Sequence, residues 1–154
     1  MLYKFIILSL GICALTSCTA KKKQVETQGT EINQRDTKVE KIELSEGNEK
    51  WLTKYPLRIK FRAITEDSRC PEGVDCIWAG VAVAQIEVIE KGGQPYSVNL
   101  ATTAMPAKGY KTSAEVNGYT IALESLAPYP KAQHTTKTLK GSYKIAIIVQ
   151  QKSN

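Results

Sequence analysis

The residues able to do chemistry gather in one stretch of this 154-residue chain, EDSRCPEGVDCIWAG from Glu66 to Gly80. Two cysteines, four carboxylates and a tryptophan in so short a span fit a metal cage, a redox centre, a binding loop or a structural clasp. Cys70 and Cys76 lack the two-residue gap of a CxxC dithiol, and no activating neighbour stands beside them. Zinc needs four ligands, and only His134 could join the two sulfurs. Glu66, Asp67, Glu72 and Asp75 are hard oxygen donors for Ca²⁺, but Arg69 sits among them and their order matches no calcium loop. In an oxidising compartment a cysteine pair this close is expected as a disulfide. Pro71 and Gly73 favour a tight turn between them, and Trp78 is placed to cover the sulfurs. The reading is a clasp, with Ca²⁺ as the lesser alternative and no cofactor implied.

Catalysis has poor raw material elsewhere. His134 is the single histidine and lies in KAQHTTKTLK, a polar stretch that reads as a solvated loop. The sequence has no GxSxG elbow, no HExxH helix and no phosphate-cradling glycine loop. A carboxylate pair from two strands would suffice for glycoside chemistry, but the second half of the chain carries few acids. The expectation is a non-enzyme with no catalytic and no metal residues. Ala127-Pro128-Tyr129-Pro130 is instead the candidate partner contact. Pro128 and Pro130 limit loop entropy, and Tyr129 offers apolar area together with a hydroxyl.

Strands must position these residues, because alternation dominates and no helical period is sustained. In PLRIKFRA, Leu57, Ile59, Phe61 and Ala63 fall on one side, with Arg58, Lys60 and Arg62 on the other. That pattern predicts a half-buried outer strand. VAVAQIEVI, from Val81 to Ile89, is apolar on both sides at first and then alternates. Lys91-Gly92-Gly93-Gln94 supplies a hairpin turn to a return strand with Tyr96, Val98 and Leu100 in phase. Asn117-Gly118 fits a type I′ turn leading to Tyr119, Ile121 and Leu123. Tyr143, Ile145, Ile147 and Val149 share one face of a last strand, with Ile148 opposite. VEKIEL is a weaker strand because Val39 is out of step. Six or seven short strands without intervening helices predict an all-β fold, a small antiparallel sandwich spanning residues 39–154.

The amino terminus speaks to compartment. Lys4 and the free amine precede a mostly apolar run from Phe5 to Leu15, too short for a spanning helix of about 20 residues but suited to a signal peptide. Leu15-Thr16-Ser17-Cys18 resembles the lipobox of bacterial lipoproteins at every position. The resemblance implies a signal peptide of residues 1–17, cleavage before Cys18, and a diacylglyceryl group on its sulfur. Each buried methylene contributes about 0.8 kcal/mol, so two chains make a stable anchor. Thr19, where an inner-membrane retention signal would place Asp, favours the outer membrane. Lys21-Lys22-Lys23, where a surface-export signal would be acidic, favours its periplasmic leaflet. Residues 18–38 hold few large apolar side chains and read as a tether with a mean reach of roughly 25 Å.

The net charge of +6 is unevenly placed. From Lys38 to Glu90 there are eight basic and ten acidic residues; from Lys91 to Asn154 there are eight and two. A basic half suits an acidic ligand or an acidic envelope protein. No basic-aromatic motif points to nucleic acid.

DSRCPEGVDCIWAG (Asp67 to Gly80), YTIALESLAPYP (Tyr119 to Pro130) and the closing YKIAIIVQ together resemble a family of small uncharacterised bacterial envelope proteins. These share a DSRCP…CxWAG element and a later L-x-PYP element. The resemblance covers roughly residues 39–151 and implies a compact β domain, without an activity. The functional expectation is a lipid-anchored binding or interaction module, with an assembly subunit of an outer-membrane complex as the alternative.

Overall fold

The computed structural model describes residues 39–134 and 136–152. The expected signal peptide, the lipidated Cys18 and the tether to residue 38 lie outside the described residues.

Eight strands form two four-stranded antiparallel sheets. In chain order they are β1 (Val39–Ser45), β2 (Glu49–Trp51), β3 (Leu57–Asp67), β4 (Ala82–Glu90), β5 (Tyr96–Ala101), β6 (Ser113–Val116), β7 (Tyr119–Ala127) and β8 (Lys144–Gln151). One sheet runs β1-β8-β7-β6 and the other β2-β3-β4-β5. A 3₁₀ turn (Pro106–Lys108) and one four-residue helix, α1 (Thr136–Leu139), complete the described elements. The core lies between the sheets: Ile42, Ile121, Ile145 and Ile147 face Ile59, Phe61, Ile86 and Leu100. The all-β sandwich is therefore as expected, with the three-residue β2 beyond the strands the pattern marked.

The alternating segments behave as their periodicity requires, with two instructive exceptions. Leu57, Ile59 and Phe61 are fully buried, but a bulge between Phe61 and Ala63 shifts the phase. Ile64, rather than Ala63, then takes the core side. The second exception is β1, where Ile42 and Leu44 point inward while Val39 is exposed and Glu40 is buried. The Glu40 carboxylate is satisfied by the Thr53 and Lys54 backbone N–H groups, each at 2.7 Å, and by the Thr53 hydroxyl at 2.9 Å. Burial pushes its pKa up, yet those donors together hold it below the usual carboxylate value. Glu40 thus closes the open edge of β1 with the β2–β3 loop.

The doubly apolar start of β4 also has its reason. Val81, Val83 and Ala101 form a second, smaller cluster against which Tyr110 packs. The Tyr110 hydroxyl donates to Glu66 at 2.9–3.0 Å, so the 102–112 segment covers the outer side of this sheet. At Asn117-Gly118 both residues have positive φ, 49° and 82°, as a type I′ turn demands.

Candidate functional site

The cysteine-rich stretch is the β3–β4 connection, and the Pro-Tyr-Pro stretch begins the β7–β8 connection. Arg69 joins them. Its side chain is 5% exposed and that of Asp67 3%. Arg69 donates from Nε to Asp67 Oδ1 at 2.8 Å and from one terminal nitrogen to Oδ2 at 2.7 Å, a two-pronged pair. The same guanidinium donates to the carbonyls of Leu126 at 3.2 Å and Pro128 at 2.9 Å. It also lies 5.2 Å from the centre of the Tyr129 ring. The Tyr143 hydroxyl donates to Asp67 Oδ2 at 3.0 Å. Burial pushes the Asp67 carboxyl up, but the Arg69 bonds and charge, helped by Tyr143, outweigh it and hold the group below its ordinary value. Burial, then the bond to Asp67, drives the Tyr143 hydroxyl well up.

The clasp is built outward from this pair. The ladder continues past the strand ends, with Ser68 N–H donating to Val81 O and Cys70 N–H to Ala79 O at 2.8 and 2.9 Å. Gly80 has φ +73°, and a Cβ there would lie 1.9 Å from the Ser68 carbonyl oxygen; no other residue fits. Cys70 and Cys76 form a disulfide, with their Cα atoms 6.0 Å apart. Within it, Val74 N–H donates to Pro71 O across a turn with Gly73 at positive φ. Glu72 N–H donates to Pro130 O at 2.9 Å, stitching the clasp to the β7–β8 connection. The loop is thus held by a covalent bond, its own ladder and the neighbouring connection.

Its tip is apolar and open. Ile77 is fully exposed, Val74 41% and Trp78 42% exposed. Trp78 does not seal the disulfide inside the fold; its ring lies 4.8 Å from the Lys108 ammonium. The four acids of the stretch are not gathered either. Asp67 belongs to Arg69 and Tyr143, Glu66 to Tyr110 and Ser68, and Glu72 and Asp75 lie on the loop. Among the described residues no three His, Cys, Asp or Glu side chains are grouped to hold an ion.

The three expected contact residues differ in placement. Tyr129 is 46% exposed, Pro128 is half-buried with its carbonyl on Arg69, and Pro130 is buried with its carbonyl on Glu72. Only Tyr129 presents substantial surface, because the prolines serve the internal bonding. His134 is half-buried, with its Nδ1 accepting the Lys131 N–H at 3.2 Å; it is a turn residue.

A groove of about 300 Å³ runs beside Tyr129, lined by Arg69, Ala79, Gly80, Thr102, Thr103 and the β7 segment from Leu123 to Leu126. A larger hollow of about 410 Å³ lies over β1, β8 and β7; it takes in Ala127 of the expected contact stretch but not Tyr129, Arg69 or any clasp residue. The functional weight therefore falls on the groove and the clasp tip. Sequence reasoning missed Arg69 as an organiser, since its carbonyl partners are 57 and 59 residues away. The signal available was an arginine set among the acids of the cysteine-rich stretch. Comparison with protein-family models, curated proteins and solved structures gives no match, so the functional reading rests on this geometry.

Proposed function

We propose that the chain is a lipid-anchored envelope lipoprotein whose sandwich is a non-catalytic binding module, engaging an envelope protein through the tip of the clasp. The observation that carries the reading is the rigid display of Ile77, Val74 and Trp78 to solvent. A loop already ordered by its disulfide and main-chain bonds avoids most of the ordering cost of association, about 0.5–1.5 kcal/mol for each side chain otherwise immobilised. Full burial of Ile77 alone would contribute about 1.5–3 kcal/mol. Lys108 beside Trp78 adds a cation to the rim, which suits an acidic surface around an apolar pocket.

The non-catalytic part is supported by how the polar groups are used, with Asp67, Tyr143, His134 Nδ1 and four of the five Arg69 N–H groups engaged in internal bonds. The anchor is supported by LTSC at residues 15–18, and placement in the periplasmic leaflet of the outer membrane by Thr19 and the three lysines that follow. Three measurements test the reading. The mature protein's mass should correspond to a chain beginning at lipidated Cys18, and Cys18→Ala should release it from membranes. Affinity capture with Ile77→Asp should lose a one-to-one partner that the parent retains. Equal capture by both would remove the clasp tip from the contact. Stoichiometric recovery of an abundant outer-membrane complex would instead favour the role of an assembly subunit.

A further inference from the structure

The groove beside Tyr129 lies outside the clasp-tip contact and has its own chemistry. One side of the Tyr129 ring carries the Arg69 guanidinium at 5.2 Å, which fixes the ring in place, and 46% of the residue stays open. The groove is lined besides by Thr102, Thr103, Glu124 and Ser125. Thr102 Oγ1 accepts the Ala82 N–H at 3.0 Å, which leaves its O–H to donate. Arg69 has five N–H groups, and four are engaged by Asp67, Leu126 and Pro128. The fifth has no partner among the described residues, on a side chain 95% buried that lines the groove.

The charges in this groove are already balanced. Arg69 is neutralised by Asp67, and Glu124 by Lys41 at 2.5 Å. An anion would meet Glu124 and a cation would meet the guanidinium, so neither is favoured. What fits is an uncharged ligand with an apolar face and many hydroxyls. We propose that this groove binds an uncharged sugar ring of a glycan. The ring's C–H face lies on Tyr129, and its hydroxyls are taken by Glu124 as acceptor, by Thr103 and Ser125 as both donor and acceptor, and by the free Arg69 N–H and the Thr102 hydroxyl as donors. The volume, about 300 Å³, sits at the small end of ligand sites, which limits the buried part to one ring and leaves the rest of the chain in solvent.

The test uses the full chain in a detergent without a sugar headgroup, titrated with maltotriose, cellotriose and the trimer of N-acetylglucosamine. Saturation-transfer NMR reports binding. At least one trisaccharide should bind saturably with a Kd of about 1 mM or tighter. Tyr129→Ala should weaken it about tenfold, while Tyr129→Phe stays within about twofold because the stacking face is kept. Thr103→Val, a lining residue with no part in the Arg69 pair, should weaken it about threefold or more. That variant keeps the test sharp if Tyr129→Ala disturbs folding. The proposal is overturned if no trisaccharide saturates below about 20 mM. Binding that both Tyr129→Ala and Thr103→Val leave unchanged overturns it equally.

Discussion

Replacing Arg69 by methionine should be among the most damaging single changes available to this domain. The Asp67 carboxylate, 3% exposed, would lose its guanidinium and both bonds from it. The carbonyls of Leu126 and Pro128 would lose their donor, so the start of the β7–β8 connection would come loose from β3. Breaking one side of a buried pair costs about 3–5 kcal/mol, because the remaining charge stays desolvated. That is a fifth or more of the roughly 5–15 kcal/mol by which domains are stable. Asp67→Leu strands the guanidinium and should cost a similar amount. The double variant removes both charges, so its cost should fall short of the two single costs combined by at least about 2 kcal/mol. Urea unfolding followed by far-UV circular dichroism gives all four free energies. Arg69→Met costing under about 1 kcal/mol, or a double variant that is simply additive, would refute the buried-anchor argument.

Other outcomes follow from the same geometry. Gly80→Ala places a Cβ on the Ser68 carbonyl at positive φ and should cost more than about 3 kcal/mol, measured by thermal melting. Cys70→Ser removes a loop constraint with an entropic value of roughly 2–2.5 kcal/mol and should lower the melting temperature under oxidising conditions only; equal melting of variant and parent there would defeat the clasp reading. Glu40→Leu leaves the donors of Thr53 and Lys54 without their acceptor and should cost about 1–3 kcal/mol, again read by urea unfolding. The Glu40 and Asp67 carboxyls both titrate below their ordinary values in the fold. Their stabilisation is therefore whole above the unfolded carboxylate range, near pH 4, and is lost as pH falls through their folded values. Stability should drop on acidification below about pH 5, and less steeply in Glu40→Gln; an unchanged acid slope in that variant would contradict the assignment.

Much of the fold was legible because burial leaves a period in sequence. Leu57, Ile59 and Phe61, the two-sided start of β4, the Asn117-Gly118 turn and the in-phase residues of β8 all follow from alternation and turn chemistry. What escaped notice was non-local. β1 looked weak because Val39 is out of step with Ile42 and Leu44; the inward position beside it belongs to Glu40, which only the Thr53 and Lys54 donors, 13 and 14 residues away, make acceptable there. The bulge after Phe61 is set by pairing with β4, which a one-strand pattern does not encode. The candidate site divides in the same way. Cysteine spacing and compartment pointed to the disulfide, and the Pro-Tyr-Pro stretch to an exposed tyrosine. That Pro130 is buried, that Arg69 holds both loops together and that Trp78 faces Lys108 all depend on contacts made across the sandwich.

The central functional claim is that the clasp tip, fixed and apolar, is the surface that meets a partner. A photo-crosslinking amino acid placed at position 77 in the full-length chain, in intact cells, tests it most directly. Position 97, on β5 and exposed, is the control. The account predicts one saturable adduct from position 77, absent from position 97 and abolished when Cys70→Ser frees the loop. Adducts of equal pattern from both positions, or none from position 77, would contradict it.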